Sequence, residues 1–142
     1  DIADAIINEK YGVMKTKGIE LEIEGTMAGI ESIAPIDICT IFANALDNAF
    51  EALSDIDFKY PVIEICVKKD KRLLLISFLN PCGKNLSGKG FLETTKKDTV
   101  DHGFGLENIR MTAEKYKGGI ECRIIEKEDS TKMFSLEIML LI

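Results

Sequence analysis

Apolar positions along the chain change period several times, and each change marks a predicted element. Residues 2–16 follow a helical pattern, with Ile2, Ala5, Ile6 and Val13 as apolar contacts and Lys17-Gly18 as the close. Ile19-Glu20-Leu21-Glu22-Ile23-Glu24 alternates strictly, as a half-buried strand does. Residues 25–36 read as loop, ending near Pro35. Asp37 then fits an N-cap or first-turn acid of a long helix running to about Leu53, and residues 55–61 turn the chain. Val62 to Lys69 alternates as a strand, Asp70-Lys71 breaks it, and Arg72 to Leu79 is apolar enough to be a central strand. Residues 81–101 hold glycines, lysines and serine with no sustained period, and so read as a loop of a length that is uncommon unless functional. Gly105 to Lys117 returns to helical spacing, with Leu106, Ile109, Ala113 and Tyr116 on one face and Gly118-Gly119 as the stop. Ile120 to Glu126 and Met133 to Ile142 are the last two strands. Consecutive strands with short turns favour antiparallel pairing. The order predicts an α/β (α+β) two-layer sandwich, with one mixed sheet of about five strands and three helices on one face.

Composition narrows the function classes. The 142 residues suggest one domain, and a domain of that size buries roughly 70% of its unfolded surface. The net charge is −6 and no stretch is strongly basic, which argues against a nucleic-acid partner. Acidity leaves a nucleotide ligand open, because a bound cation screens phosphate charge. Cys39, Cys66, Cys82 and Cys122 form no C-x-x-C pair, and His102 is the one histidine, too little for a Cys/His zinc site. The thiols read as reduced and the compartment as cytosolic. No apolar run reaches the roughly 18 residues of a membrane span, and no signal peptide is evident. The chain opens abruptly in a helical pattern, as a piece of a larger protein would.

Three segments carry candidate chemistry. On the second helix, Asn44, Asn48 and Glu51 lie at i, i+4 and i+7, on a different stripe from Ile38, Ile41, Phe42, Ala45, Ala49 and Ala52. Asparagine is a poor helix former, and an amide oxygen can ligate a hard cation such as Mg²⁺. A solvated polar face, or an amide capping a neighbouring loop, accounts for the same stripe. His102-Gly103-Phe104-Gly105-Leu106 sits at a loop-to-helix junction, where glycines and unpaired N–H groups suit phosphate. A plain helix start accounts for it equally, and it matches neither the P-loop nor the dinucleotide fingerprint. Lys96, in Phe91-Leu92-Glu93-Thr94-Thr95-Lys96, can reach a phosphate as a point charge or remain solvated.

Taken in order, these segments resemble one family. Asn44-Ala45-Leu46-Asp47-Asn48-Ala49-Phe50-Glu51-Ala52 resembles the N-box of the gyrase, chaperone, histidine-kinase and MutL (GHKL) ATPases. Asn80 falls where that family has the acid of its first glycine box, with Gly83 following. Phe91 to Lys96 resembles the F-box, and Gly103 to Leu106 the second glycine box. The Asp-Asn-Ala-x-Glu-Ala form is most similar to peptide-pheromone sensor kinases of the Agr type, which act in quorum sensing.

The resemblance implies the Bergerat ATP-binding fold, with residues 81–102 as the ATP lid and residues 1–142 as the single catalytic domain of a larger sensor histidine kinase. It implies ATP and Mg²⁺ as cofactors: Asn48 supplies an oxygen to Mg²⁺, and Asn44 sits near the γ-phosphate and orients the attacking group. Asn80 meets the adenine amine, while Thr95 and Lys96 approach the phosphates. His102, Gly103, Phe104, Gly105 and Leu106 hold phosphate at the start of the third helix. The implied partners are the protein's own dimerisation and phosphoacceptor helices and a downstream response regulator, with the full-length protein a membrane-anchored homodimer. Asn80 is uncharged where the family has aspartate, which lowers the expected affinity. Glu51 stands where many kinases have a phosphate-contacting lysine. Two alternatives share the fold: a non-catalytic scaffold that has lost ATP, and a serine kinase that inhibits a sigma factor.

Overall fold

A computed structural model describes residues 2–54, 58–59, 61–83 and 104–142. The element order is α1 (Ile2–Thr16), β1 (Glu20–Gly25), a 3-10 turn (Ile30–Ser32), α2 (Pro35–Ser54), β2 (Val62–Asp70), β3 (Leu73–Pro81), α3 (Phe104–Lys115), β4 (Gly119–Glu126) and β5 (Lys132–Leu141). The five strands form one sheet in the order β1-β2-β3-β5-β4. β1 pairs parallel with β2, and every other pair is antiparallel. The parallel pair follows from the connection, since α2 crosses over between β1 and β2. Among the described residues, the three helices pack on one face of the mixed sheet, as the sequence predicts.

Alternation within the strands builds the core. Ile63, Ile65 and Val67 of β2, Leu74, Ile76 and Phe78 of β3, and Phe134, Leu136, Ile138 and Leu140 of β5 all point to the helices and are buried. They meet Ile38, Ile41, Phe42, Ala45, Leu46, Ala49 and Leu53 of α2, and Leu106, Ile109 and Ala113 of α3. Phe42 and Phe78 meet edge to face with ring centroids 5.6 Å apart, joining α2 to the central strand.

Several boundaries differ from the pattern reading. Helix α2 starts at Pro35, two residues before Asp37. Proline suits a first helical position because its missing N–H has no helical partner there. Strand β3 extends through Asn80 to Pro81, which pairs in register with Met133, so Pro81 is strand rather than loop. On α1 the buried residues are Ala3, Ile7 and Met14, whereas Ile2 and Val13 are exposed. The helix therefore buries a different stripe from the one its sequence predicts, apart from half-buried Ile6.

Two helix ends are closed alike by different residues. At α1, the Gly18 N–H donates to Lys15 O (3.1 Å) and the Ile19 N–H to Met14 O (3.1 Å), with Gly18 at φ 75°. At α3, the Lys117 N–H donates to Glu114 O (3.0 Å) and the Gly118 N–H to Ala113 O (3.0 Å), and Lys117 takes the left-handed conformation at φ 57°. Gly118 is required for another reason. A Cβ there would stand 1.7 Å from Met139 O and 2.6 Å from Met139 C, so glycine lets α3 return against β5.

Candidate functional site

The contacts fix which end of the fold gathers the candidate residues. The Ala34 N–H, just before α2, donates to Tyr116 Oη (2.9 Å), just after α3. The Leu141 N–H donates to Tyr116 O (2.9 Å), and Leu141 pairs with Leu73 at the start of β3. The start of α2, the end of α3 and the start of β3 therefore lie together. The later part of α2, the start of α3 and the end of β3 lie at the opposite end, where Asn44, Asn48, Gly105 and Asn80 fall.

Asn44 and Gly105 come together across that end. A Cβ on Gly105 would stand 3.6 Å from Asn44 Oδ1 and 3.9 Å from Asn44 Cβ. The Asn44 Nδ2 donates to Thr40 O (2.7 Å) one turn earlier on α2. That bond occupies the donor end of the amide and turns the acceptor oxygen toward the first turn of α3. An oxygen acceptor in that place suits a cation or a proton donor better than a bare phosphate. Asn48, one turn further along α2, is half-buried, and Glu51 is exposed. Thr40 was not a candidate from the sequence, because it acts through its backbone carbonyl.

Asn80 is 1% exposed on the helix-facing side of β3, and its Nδ2 donates to Pro81 O (2.9 Å). The Cys82 N–H donates to Lys132 O (2.9 Å), extending the β3–β5 pairing past Pro81, and Gly83 follows half-buried. Leu106 packs in the hydrophobic core beside Ile109. Phe104 opens α3. Thr95, Lys96, His102 and Gly103 lie outside the described residues, as does the proposed lid from residue 84 onward. Among the described residues no cluster of three or more His, Cys, Asp or Glu could hold a metal. All four cysteines are free. Burial pushes the Cys122 thiol up to about 11 and raises that of Cys82, so both are protonated packing groups at neutral pH.

The far ends of the same two helices are tied by charge. Lys115 Nζ donates to Asp37 Oδ1 (2.8 Å), and Tyr116 Oη donates to Asp37 Oδ2 (2.7 Å). Asp37 is 5% exposed, so its charge depends on these partners. The Lys115 hydrogen bond, opposed by burial and assisted by Tyr116, holds the Asp37 carboxyl below its ordinary 3.8. A depressed folded pKa gives stabilisation that is complete above the unfolded value and is lost as pH falls through the folded one, here below about pH 4. Asp37→Ala should cost about 2 kcal/mol at neutral pH, lowering Tm by roughly 5–8 °C. In thermal melts the gap between wild type and variant should close as pH falls from about 5 toward about 2. A gap that does not change with pH would show that the tie is not electrostatic.

Comparison with known proteins bears on the fold and the family. Residues 33–140 match the family model described as the GHKL domain. No curated protein matches the chain. The chain is similar to a nucleotide-free form of the catalytic domain of histidine kinase ThkA, at 17% identity and TM-score 0.66, covering 98% of this chain and 92% of that one. A second nucleotide-free form of that domain aligns at 19% identity and TM-score 0.57, covering 95% of this chain and 91% of that one. Histidine kinase AdeS of Acinetobacter baumannii aligns at 11% identity and TM-score 0.63, over 98% of this chain and 63% of that one. At such identities the likeness is one of fold.

Proposed function

The chain belongs to the GHKL domain family, and on that premise we propose that it binds Mg·ATP and supplies the γ-phosphoryl group to a histidine on a separate dimerisation domain in two-component signalling. The observation that carries the reading is the approach of Asn44 Oδ1 to Gly105. It sets a hard oxygen acceptor against a helix N-terminus, and the two suit a cation and the anion it accompanies.

The donor set fits magnesium. Amide oxygens are hard ligands, and Mg²⁺ takes one or two protein oxygens alongside water and phosphate oxygens. Asn48 would hold the ion, which when bound neutralises phosphate charge, and Asn44 would sit near the γ-phosphate and orient the attacking group. The first turn of α3 would receive phosphate on its free N–H groups, and the lack of a side chain at Gly105 leaves the approach open. Asn80 would accept from the adenine amine through Oδ1, its Nδ2 being engaged with Pro81 O. Thr95, Lys96, His102 and Gly103 would approach the phosphates from the segment that we take as the lid. Transfer of this kind depends mainly on positioning and charge stabilisation. No helix among the described residues is long and apolar enough to cross a membrane. The phosphoacceptor helices, the response regulator and any membrane anchor would lie elsewhere in the full protein. The Asp-Asn-Ala-x-Glu-Ala segment supports an Agr-type relative.

Two experiments separate this reading from a scaffold that has lost ATP. Incubated with γ-labelled ATP, the chain should bind nucleotide without labelling itself, since its one histidine, His102, falls in the segment that we take as the lid. Strong labelling that is lost in His102→Ala would overturn the assignment. Gly105→Ala should separate stability from binding. The added methyl meets nothing closer than 3.6 Å. Stability should therefore hold or rise by up to about 1 kcal/mol. Calorimetric affinity for Mg·ATP should fall about tenfold, because the methyl fills the space the phosphates approach through. Unchanged affinity would remove Gly105 from the site.

A further inference from the structure

We infer that Tyr116, acting with Lys115 on Asp37, is a positioning residue for the phosphate end of the ligand, an inference that rests on the Mg·ATP reading of the cleft. Helices α2 and α3 run antiparallel. At one end both Asp37 oxygens are engaged, by Lys115 Nζ at 2.8 Å and Tyr116 Oη at 2.7 Å. At the other end Asn44 stands against Gly105. Asn44 is seven residues from Asp37, about 10 Å along the helix axis. Between the two ends the contact is apolar and partly made by small side chains, among them Ala45 and Ala113. Such contact is non-directional. The hydrogen bonds at Asp37 have fixed directions and decide the relative pose of the two helices.

Tyr116 also refers that pose to the sheet. Its hydroxyl donates to Asp37 and accepts from the Ala34 N–H at 2.9 Å, while its carbonyl accepts from the Leu141 N–H at 2.9 Å. One residue thus registers the start of α2 against both α3 and β5. Loosening it lets the helices shift at the far end and changes the Asn44–Gly105 gap. Asn80 is carried by β3 and held by its own bond to Pro81 O, outside this lever. The tie therefore governs the grip on phosphates and leaves the grip on the base alone.

The test compares Mg·ADP with adenosine, each displacing a fluorescent adenine nucleotide from the whole chain at a temperature where every variant is folded by circular dichroism. Tyr116→Phe and Lys115→Met should each weaken Mg·ADP about tenfold, equivalent to about 1.4 kcal/mol of phosphate contact. Adenosine affinity should stay within about twofold, and Lys115→Arg, which keeps charge and donor, should restore Mg·ADP binding. Equal weakening of both ligands, or unchanged Mg·ADP affinity in folded variants, would overturn the inference while leaving the site reading in place. Should Tyr116→Phe fail to fold, Lys115→Met decides alone, because Lys115 is 61% exposed and its truncation leaves the core intact. A wild-type chain that binds neither ligand overturns the site reading and this inference together.

Discussion

Asn48→Ala is expected to abolish magnesium-dependent nucleotide binding, weakening Mg·ATP by at least about 100-fold, while the domain stays folded. Asn48 is half-buried on α2 and one turn beyond Asn44, so its truncation opens no cavity in the core. Alanine is also the better helix former, which removes helix destabilisation as a cause of lost binding. Asn48→Asp keeps a hard oxygen in place and should retain the metal dependence that Asn48→Ala loses. Calorimetry with and without magnesium checks both. Undiminished binding by Asn48→Ala would take the metal role from this residue.

Gly118→Ala should have the largest effect on stability, lowering it by about 3 kcal/mol or more and Tm by roughly 10 °C. A methyl there would overlap the Met139 carbonyl at 1.7 Å, and the obstacle is strand backbone with no rotamer to retreat to. Relief requires α3 to withdraw from β5, which strains the Gly118 N–H bond to Ala113 O and the Leu141 N–H bond to Tyr116 O. Gly119→Ala, one residue on, meets nothing within 4 Å and serves as the control, with a change of at most about 0.5 kcal/mol. Chemical denaturation compares the two, and equal tolerance of both would show that the α3–β5 approach is not tight.

The contrast between Gly118 and Lys117 shows where local pattern stops being informative. Gly118-Gly119 marks the helix end in the sequence, yet Lys117 carries the left-handed turn, because Gly118 is committed to the close approach to β5. The apolar faces of α2 and α3 were legible, since each has one dominant stripe at helical spacing. Helix α1 was not. Its buried stripe, Ala3, Ile7 and Met14, continues through Lys10, which pairs with Asp47 on α2 at 2.7 Å. A lysine in that series makes the true inner stripe look polar, and leaves Ile2, Ile6 and Val13 as the more apolar rival. The pairing of β3 with β5, past β4, joins strands far apart in sequence, and no local period encodes such a choice.

The candidate site divides in the same way. Residue type and spacing mark Asn44, Asn48 and Gly105 as candidates, and the family resemblance adds Asn80. Residue type alone could not show that Asn44 spends its donor on Thr40 O, which decides which end of the amide faces the cleft. Nor could it show Asp37 reaching Lys115 and Tyr116 across 78 and 79 residues of sequence. Asp37 has the position of a helix-start acid and Tyr116 of an apolar-face residue. Their hydrogen bond exists only after the helices have packed.

The central claim, that a magnesium nucleotide lies between the amide stripe of α2 and the start of α3, is tested most directly by titrating the isotope-labelled domain with Mg·ATP. The reporters are the side-chain amide resonances of Asn44, Asn48 and Asn80 and the backbone resonance of Gly105. The expected result is that all four move together and saturate at one affinity, with Asn44 and Asn48 reverting when magnesium is removed. Shifts confined to other surfaces of the domain, or none at millimolar nucleotide, would contradict it.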